Sequence, residues 1–417
     1  MAEEKLVSNC RACHHTGFRQ VLDFGRLPPS DALCHSREES LRCDRYPLQL
    51  LVCERCGLAQ LGHSISEKKL FGAQFPYYSS YSRSYLEHAR KLADTILERL
   101  NLKQDDWLLE IASNDGYLLR YFKDKGVPVL GIDPASGPAS MARSRGIDTL
   151  EVFFDRAVAD QLLAQRGRAK VVVANNVFAH VGNQHGFLSA VEQLLADDGT
   201  LVMEVPYFVD LVDGVRFDTI YHEHQCYFTV TSLLALLAHH ELHLNRVDHF
   251  PVHGGSLRLW ISRQCEPDES IDYFLQKEKN RVECVDAEGL QLFSSRVPQF
   301  CQSVAQSIEK LHRQGVDMAA YGAAAKGTMM LNMCGVDHSR IPFAVDRNPH
   351  KQGRFMPGVG VEILPIERLR RKPPQLLVLL PWNLEREILA QEQPFIDQGG
   401  SFLIPGFPVR LINHPAR

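Results

Sequence analysis

The sequence has no long apolar run. No window approaches the roughly 18 uninterrupted apolar residues that a membrane span requires, so no transmembrane helix is expected. The opening Met-Ala-Glu-Glu-Lys lacks the apolar core of a signal peptide. A basic surplus is missing too: 46 Lys and Arg against 50 Asp and Glu leave a net charge of −4, which gives no case for a general nucleic-acid binder. A cytoplasmic protein with neither membrane nor nucleic acid as partner is expected.

What is present is ordinary in amount and unusual in arrangement. A chain of 417 residues exceeds the usual single-domain size, so two or three domains are expected. Eleven cysteines in a chain without an export signal read as reduced thiols, and clustered ones as metal ligands. Cys10-Arg-Ala-Cys13 and Cys53-Glu-Arg-Cys56 are two C-x2-C pairs, each able to present two thiolates to one tetrahedral ion, and Gly57 relieves the tight turn after the second. The 39 residues between the pairs require an inserted hairpin. A closed four-thiolate site has no open position for water, so the expected zinc is structural. Cys34, Cys43, Cys226, Cys265, Cys284, Cys301 and Cys334 show no such pairing and are expected to pack.

After this module, too small to fold well without metal, comes an aromatic loop, Phe75-Pro-Tyr-Tyr-Ser-Ser-Tyr-Ser82, which either lines a pocket or packs as an interdomain linker. Leu86, Ala89, Leu92, Ile96 and Leu100 then mark an amphipathic helix. From residue 106 short apolar strands alternate with helices: 107–111, a helix from 118 to 125, 127–133, helices near 138–145 and 185–196, and strands at 171–174 and 201–205. That alternation predicts a parallel sheet with crossover helices. Strands at 242–250 and 256–262, joined through Gly254-Gly255, predict an antiparallel hairpin at its edge. Residues 267–313 are polar and helical, with apolar positions that include Phe274, Val282, Val285, Leu290, Phe293 and Val297. Met318–Gly327, Phe343–Asp346 and Leu376–Leu380 predict a second doubly wound domain. The expected boundaries are 1–70, 71–265, a helical bridge at 266–315, and 316–417.

Two turns and one cluster carry the chemistry. Glu110-Ile-Ala-Ser-Asn-Asp-Gly116 joins a strand to a helix, so its N–H groups face a ligand. Asp133 ends the next strand, where an acid can accept ribose hydroxyls. Ala112 and Asn114 stand where the commoner nucleotide motif has glycines. Tyr221-His-Glu-His224 follows a strand and a loop, the position at which α/β folds present groups to a ligand. If this segment is extended, His222 points away from its neighbours.

These strings occur in one order with Asn175-Asn-Val-Phe-Ala-His180, His253-Gly-Gly-Ser-Leu-Arg258 and Tyr321-Gly-Ala-Ala-Ala-Lys-Gly327. Together they closely resemble, over nearly the whole chain, the sugar C-methyltransferases of deoxysugar biosynthesis, which methylate C3 of nucleotide-linked 4-keto-6-deoxyhexoses. The resemblance implies an N-terminal zinc-binding module, a central class I S-adenosylmethionine (SAM)-dependent methyltransferase domain and a C-terminal Rossmann-like α/β domain. It implies SAM and a structural Zn²⁺ as cofactors, a nucleotide-sugar substrate, with thymidine diphosphate the expected nucleotide, and a monomer. Glu110, Ala112, Asn114, Gly116, Asp133 and Asn175 would hold SAM. His224 matches the family's base, with Tyr221, Glu223 and His180 as its catalytic partners. Tyr78, Ser80, Asn176 and Lys326 would contact the substrate. A neutral imidazole suits proton removal near pH 7, and a ketone beside C3 lets the resulting charge spread onto oxygen. The competing reading is an oxidoreductase using the C-terminal fold, since Asp346 suits an NAD ribose, but the turn at 322–327 lacks G-x-G-x-x-G spacing. A binding protein without catalysis leaves two nucleotide-like turns and Tyr-His-Glu-His unexplained.

Overall fold

A computed structural model describes residues 4–72, 75–279, 281–282 and 287–412. Cys284 and Val285, expected to pack, lie outside the described residues. The chain forms two compact units: Met1–Gln20, Leu51–Asp210 and His224–Glu288 make the first, and Val21–Leu50, Leu211–Glu223 and Gly289–Arg417 the second.

The N-terminal segment carries β1 (Glu4–Leu6), β2 (Phe18–Leu27), β3 (Tyr46–Cys53), β4 (Ala59–Leu61) and β5 (His63–Ile65). Its expected inserted hairpin is a strand, a short helix Arg37–Arg42 and a second strand, β3. In the first unit β1 pairs antiparallel with β5. The main sheet there contains β6 (Leu108–Ile111), β7 (Val129–Ile132), β8 (Thr149–Leu150), β9 (Ala169–Asn175), β10 (Leu195–Pro206), β12 (His243–Phe250) and β13 (Ser256–Ser262), with β11 (Cys226–Tyr227) paired instead to β4. Its order is β12-β13-β10-β9-β6-β7-β8, parallel from β10 to β8 and closed by the antiparallel β12-β13 hairpin. β10 starts earlier than the sequence pattern suggests: Leu195 already pairs with Ala169, and an irregularity follows before Thr200 meets Val171.

Helix Arg83–Leu100 shows why local sequence suffices for some elements. Ser82 caps it by accepting the Tyr85 N–H, and Asn101 ends it in the left-handed region at φ 41°. Ala89, Leu92, Ala93 and Ile96 form its buried stripe, packed in one core with Leu108, Phe122, Val171 and Val202.

The second unit holds a six-stranded sheet of β14 (Met318–Tyr321), β15 (Phe343–Asp346), β16 (Glu362–Pro365), β17 (Leu376–Leu379), β18 (Ser401–Ile404) and β19 (Arg410–Ile412). The order is β16-β15-β14-β17-β18-β19, parallel apart from β19. In each sheet the strand order reverses beside a strand that carries a chemical turn: between β6 and β9, and between β14 and β17. Open α/β sheets bind ligands at the carboxyl ends of such strands. One packing expectation fails: Cys265 is exposed, because it lies past the end of β13, outside the sheet.

Candidate active site

Turn 112–118 leaves β6 with alternate residues in the left-handed region: Ala112 at φ 59°, Asn114 at 51° and Gly116 at 75°. The glycine-type backbone is therefore kept at all three positions, although two of them carry side chains. Such a conformation costs an L-residue roughly 1–2 kcal/mol, less for Asn. Asn114 offsets this by two side-chain bonds to the aromatic loop: Oδ1 accepts from Ser79 N–H at 2.8 Å, and Nδ2 donates to the Tyr77 carbonyl at 3.1 Å. The loop thus covers the turn. Tyr78 lies with its hydroxyl against Gly137, and Ser80 donates its N–H to Asp115 Oδ2 while its hydroxyl accepts from Arg145.

Asp133, just past β7, clamps the turn. Its Oδ2 accepts from Asn114 N–H and its Oδ1 from Ala135 N–H, both at 2.9 Å. Burial pushes its pKa up to about 6, against those two backbone bonds. Each oxygen retains a lone pair for a ribose hydroxyl. Glu110 is fully buried, and burial raises its carboxyl well above the usual range, with the Tyr117 hydroxyl opposing. Among the described residues, the buried Oδ1 atoms of Asp115 and of Asn175, at the end of β9, meet no hydrogen-bond partner, so polar capacity is left over at the cofactor position. These residues fit SAM. Asn176, at φ 53°, donates from Nδ2 to the Tyr85 hydroxyl at 3.4 Å.

His180 ends a short helical turn after β9, and its ring centroid lies 4.8 Å from that of His224. Phe71 flanks His180 at 5.1 Å, and Tyr227 lies 6.0 Å from His224. The frame around this pair comes from the zinc module. Gln225 donates its N–H to the Ala179 carbonyl at 2.7 Å, and β11 pairs with β4 through Cys226 and Gln60. Arg11, inside the first knuckle, donates to Gln225 Oε1 at 2.9 Å, to the Gly182 and Leu61 carbonyls at 3.3 Å, and to the Ser64 hydroxyl. Sequence reading missed Arg11, since nothing local marks its target.

The four knuckle sulfurs lie within 4.8 Å of one another, with Cys10 and Cys56 3.5 Å apart and Cys13 and Cys53 3.6 Å apart. A tetrahedral zinc with bonds of about 2.3 Å separates its sulfurs by about 3.8 Å, so the set fits. Each knuckle ends in a left-handed residue, His14 at φ 59° and Gly57 at φ 70°. Hydrogen bonding from Cys56 pulls the Cys10 thiol down to about 5 and pushes Cys56 up; a shared cation lets all four ionise.

A buried triad supports the same sheet. Glu204 on β10 lies opposite Arg258 on β13, their side chains 2.7 Å apart, and His88 Nε2 is 2.9 Å from both Glu204 oxygens. Burial alone would raise the Glu204 carboxyl, but His88 and Arg258 together hold it below its ordinary value. An acid in the apolar run Leu201–Val205 was the available signal for it.

In the second unit, Glu223 is buried and accepts from Asp31 N–H at 3.0 Å, and burial followed by the Asp31 charge pushes its pKa up to about 7. His222 is buried with Nε2 3.2 Å from the Tyr46 carbonyl, while Tyr221 is half-buried. Lys326 donates to Asn383 Oδ1 at 3.0 Å, and its ammonium sits 4.9 Å from the Trp382 ring centre. Burial lowers it to about 8, with Asp218 opposing. Arg216 stacks on the same indole at 5.3 Å, and Trp382 Nε1 donates to Asp218 at 2.6 Å. The close approach that Gly322 allows is to Pro381, whose ring would lie 2.7 Å from a Cβ.

Three family models match: a zinc binding domain over residues 10–71, "Methyltransferase domain" over 85–245, and "C-methyltransferase C-terminal domain" over 251–407. Among solved structures, magnesium protoporphyrin IX methyltransferase from Synechocystis PCC 6803 with bound SAM is 13% identical, at TM-score 0.33 over 43% of this chain and 82% of its own. The PH0226 protein from Pyrococcus horikoshii OT3 is 13% identical, at TM-score 0.35 over 47% and 98%. The C-methyltransferase NovU of Streptomyces niveus is 33% identical over 410 residues, spanning 98% of this chain and 97% of the relative. With a relative 33% identical across 98% of this chain and three family models matched along it, the chain belongs to the C-methyltransferase family.

Proposed function

We propose that this SAM-dependent C-methyltransferase acts on C3 of a nucleotide-linked 4-keto-6-deoxysugar, with thymidine diphosphate as the nucleotide. The observation that carries the reading is the His180–His224 pair, with His180 on the loop after the switch-point strand β9 and His224 in the segment that enters β11, which pairs with β4 of the zinc module. His224 takes the C3 proton, and the electron pair left behind spreads through C4 onto the keto oxygen as an enolate. SAM supplies the methyl group, which C3 receives as the carbon–sulfur bond breaks. Tyr221 donates toward the keto oxygen, Glu223 contacts the substituents of the sugar, and His180 supports the charge on His224. Tyr78, Ser80 and Asn176 contact the sugar, and Lys326 with Arg216, both against Trp382, supplies positive charge for the diphosphate.

The test is incubation with SAM and a panel of 4-keto-deoxysugar nucleotides, read by mass spectrometry. Methylated product carrying the label at C3 is expected. Methylation only on oxygen or nitrogen would replace this reading.

A further inference from the structure

Glu223 has a neighbour that the methyl-transfer reading does not use. The segment Pro28-Pro29-Ser30-Asp31 brings Asp31 against it, 192 residues away in sequence, and the Asp31 N–H donates to Glu223 Oε1 at 3.0 Å. On the other side, Lys351 Nζ lies 3.9 Å from Asp31 Oδ1 and donates to the Ala323 carbonyl at 2.8 Å. Ala323 in turn donates its N–H to Asp346 at 2.7 Å. The side chains of Asp31 and Lys351 are 11% and 8% exposed, and Glu223 is 2% exposed, so three ionisable groups share a largely dry space. Two carboxyl groups and one ammonium hold one negative charge comfortably and two at high cost. Burial raises the Asp31 carboxyl as it does that of Glu223, but Lys351 stands beside Asp31 and opposes the rise there, so the charge settles on Asp31 and the proton stays on Glu223. His222, the preceding residue in the chain, has its Nε2 3.2 Å from the Tyr46 carbonyl.

We propose that Asp31 is a positioning residue of the methyl-transfer site: kept ionised by Lys351, it holds the Glu223 carboxyl in the neutral form that, besides contacting the substituents of the sugar, donates a second hydrogen bond beside that of Tyr221 toward the oxygen gathering charge as C3 loses its proton. A neutral acid is what an enolate oxygen requires, since a carboxylate there would repel it. The inference rests on the placement of Glu223 in the site proposed above.

The experiment is the pH profile of kcat for the full-length enzyme with SAM and a 4-keto sugar nucleotide. The wild type should lose activity on the alkaline side as Glu223 gives up its proton, near the value of about 7. Asp31→Asn keeps the backbone N–H bond and removes the charge, so that limb should move down by about one pH unit. Glu223→Gln keeps a donor that cannot titrate. It should remove the limb, and adding Asp31→Asn to it should shift nothing further. SAM binding by calorimetry confirms that each variant is folded. If Asp31→Asn does not fold, Asp31→Ser removes the same charge and reads the same shift. Glu223 variants that alter kcat beside an Asp31→Asn profile superimposable on wild type would overturn the role of Asp31 alone. Glu223→Gln and Glu223→Ala both behaving as wild type would instead remove Glu223 from the site, and this inference with it.

Discussion

The rings of His180 and His224 stand 4.8 Å apart at an interplanar angle of 47°, brought together from the end of β9 and from the segment that enters β11. If His224 is the base, His224→Gln should lower kcat by about 10²–10⁴, the usual worth of a general base, while SAM and the nucleotide sugar still bind. In deuterated water with S-adenosylhomocysteine in place of SAM, the wild type should exchange the C3 proton of a 4-keto sugar and the variant should not. Exchange that survives His224→Gln but fails in His180→Gln would exchange their roles.

The zinc module should matter to catalysis although its site is closed. β4 carries β11, and Arg11 ties Gln225 to the knuckle, so the metal fixes the residue next to His224. Chelation or Cys10→Ser should remove about one zinc per chain and most of the methylation. Arg11→Met should keep the zinc, by metal analysis, and still lower kcat. Full activity in a folded, metal-free protein would separate the module from the site.

Asp133 gives a pH test of the cofactor turn. Its carboxyl is raised to about 6, so it is ionised above that pH and neutral below. A ribose hydroxyl donates best to the ionised form, and SAM affinity should therefore fall as pH drops below about 6, by at most tenfold per unit. Asp133→Asn should bind SAM weakly at all pH values and lose this dependence, as measured by calorimetry. Wild-type affinity in the variant would move the ribose elsewhere.

Much of this was legible because it is local. The knuckles show in C-x2-C spacing, helix Arg83–Leu100 in its apolar stripe and Ser82 cap, and the cofactor turn in a strand, a polar turn and a following acid. The second unit repeats that last device: Asp346 clamps Ala323 and Asn348 N–H groups as Asp133 clamps those of Asn114 and Ala135. Ala112 and Asn114 looked like departures from a glycine motif, yet the backbone keeps its left-handed turns and Asn114 uses its side chain to hold the loop. What the sequence hid are partnerships across long stretches of chain. Asp31 meets Glu223 and Arg11 meets Gln225 at separations of 192 and 214 residues, where no periodicity or spacing connects them. The burial of Lys326 beside Trp382 has the same origin, since Asn383 is 57 residues on.

The Glu204–Arg258 pair tests how the sheet bears a buried charge. The two residues sit opposite each other in the β10-β13 register, 0% and 3% exposed, with His88 completing the set. Arg258→Met fills similar space but leaves the buried carboxylate short of a paired cation, which typically costs about 3–5 kcal/mol. Urea unfolding of the two proteins at pH 7 reads this directly. The sign of its pH dependence follows from the direction of the Glu204 shift. In the wild type the carboxyl is held below its ordinary value, so its contribution is present above the unfolded value and is lost as pH falls through the folded one. Without Arg258, burial of the carboxyl meets less opposition, and the variant's deficit should shrink as pH falls from 7 toward 5, because protonating Glu204 relieves it. Adding Glu204→Gln should recover part of the loss at pH 7 and remove most of this pH dependence. A deficit that stays constant with pH would mean that packing of the arginine stem over Phe250, 4.3 Å from its guanidinium, outweighs the charge.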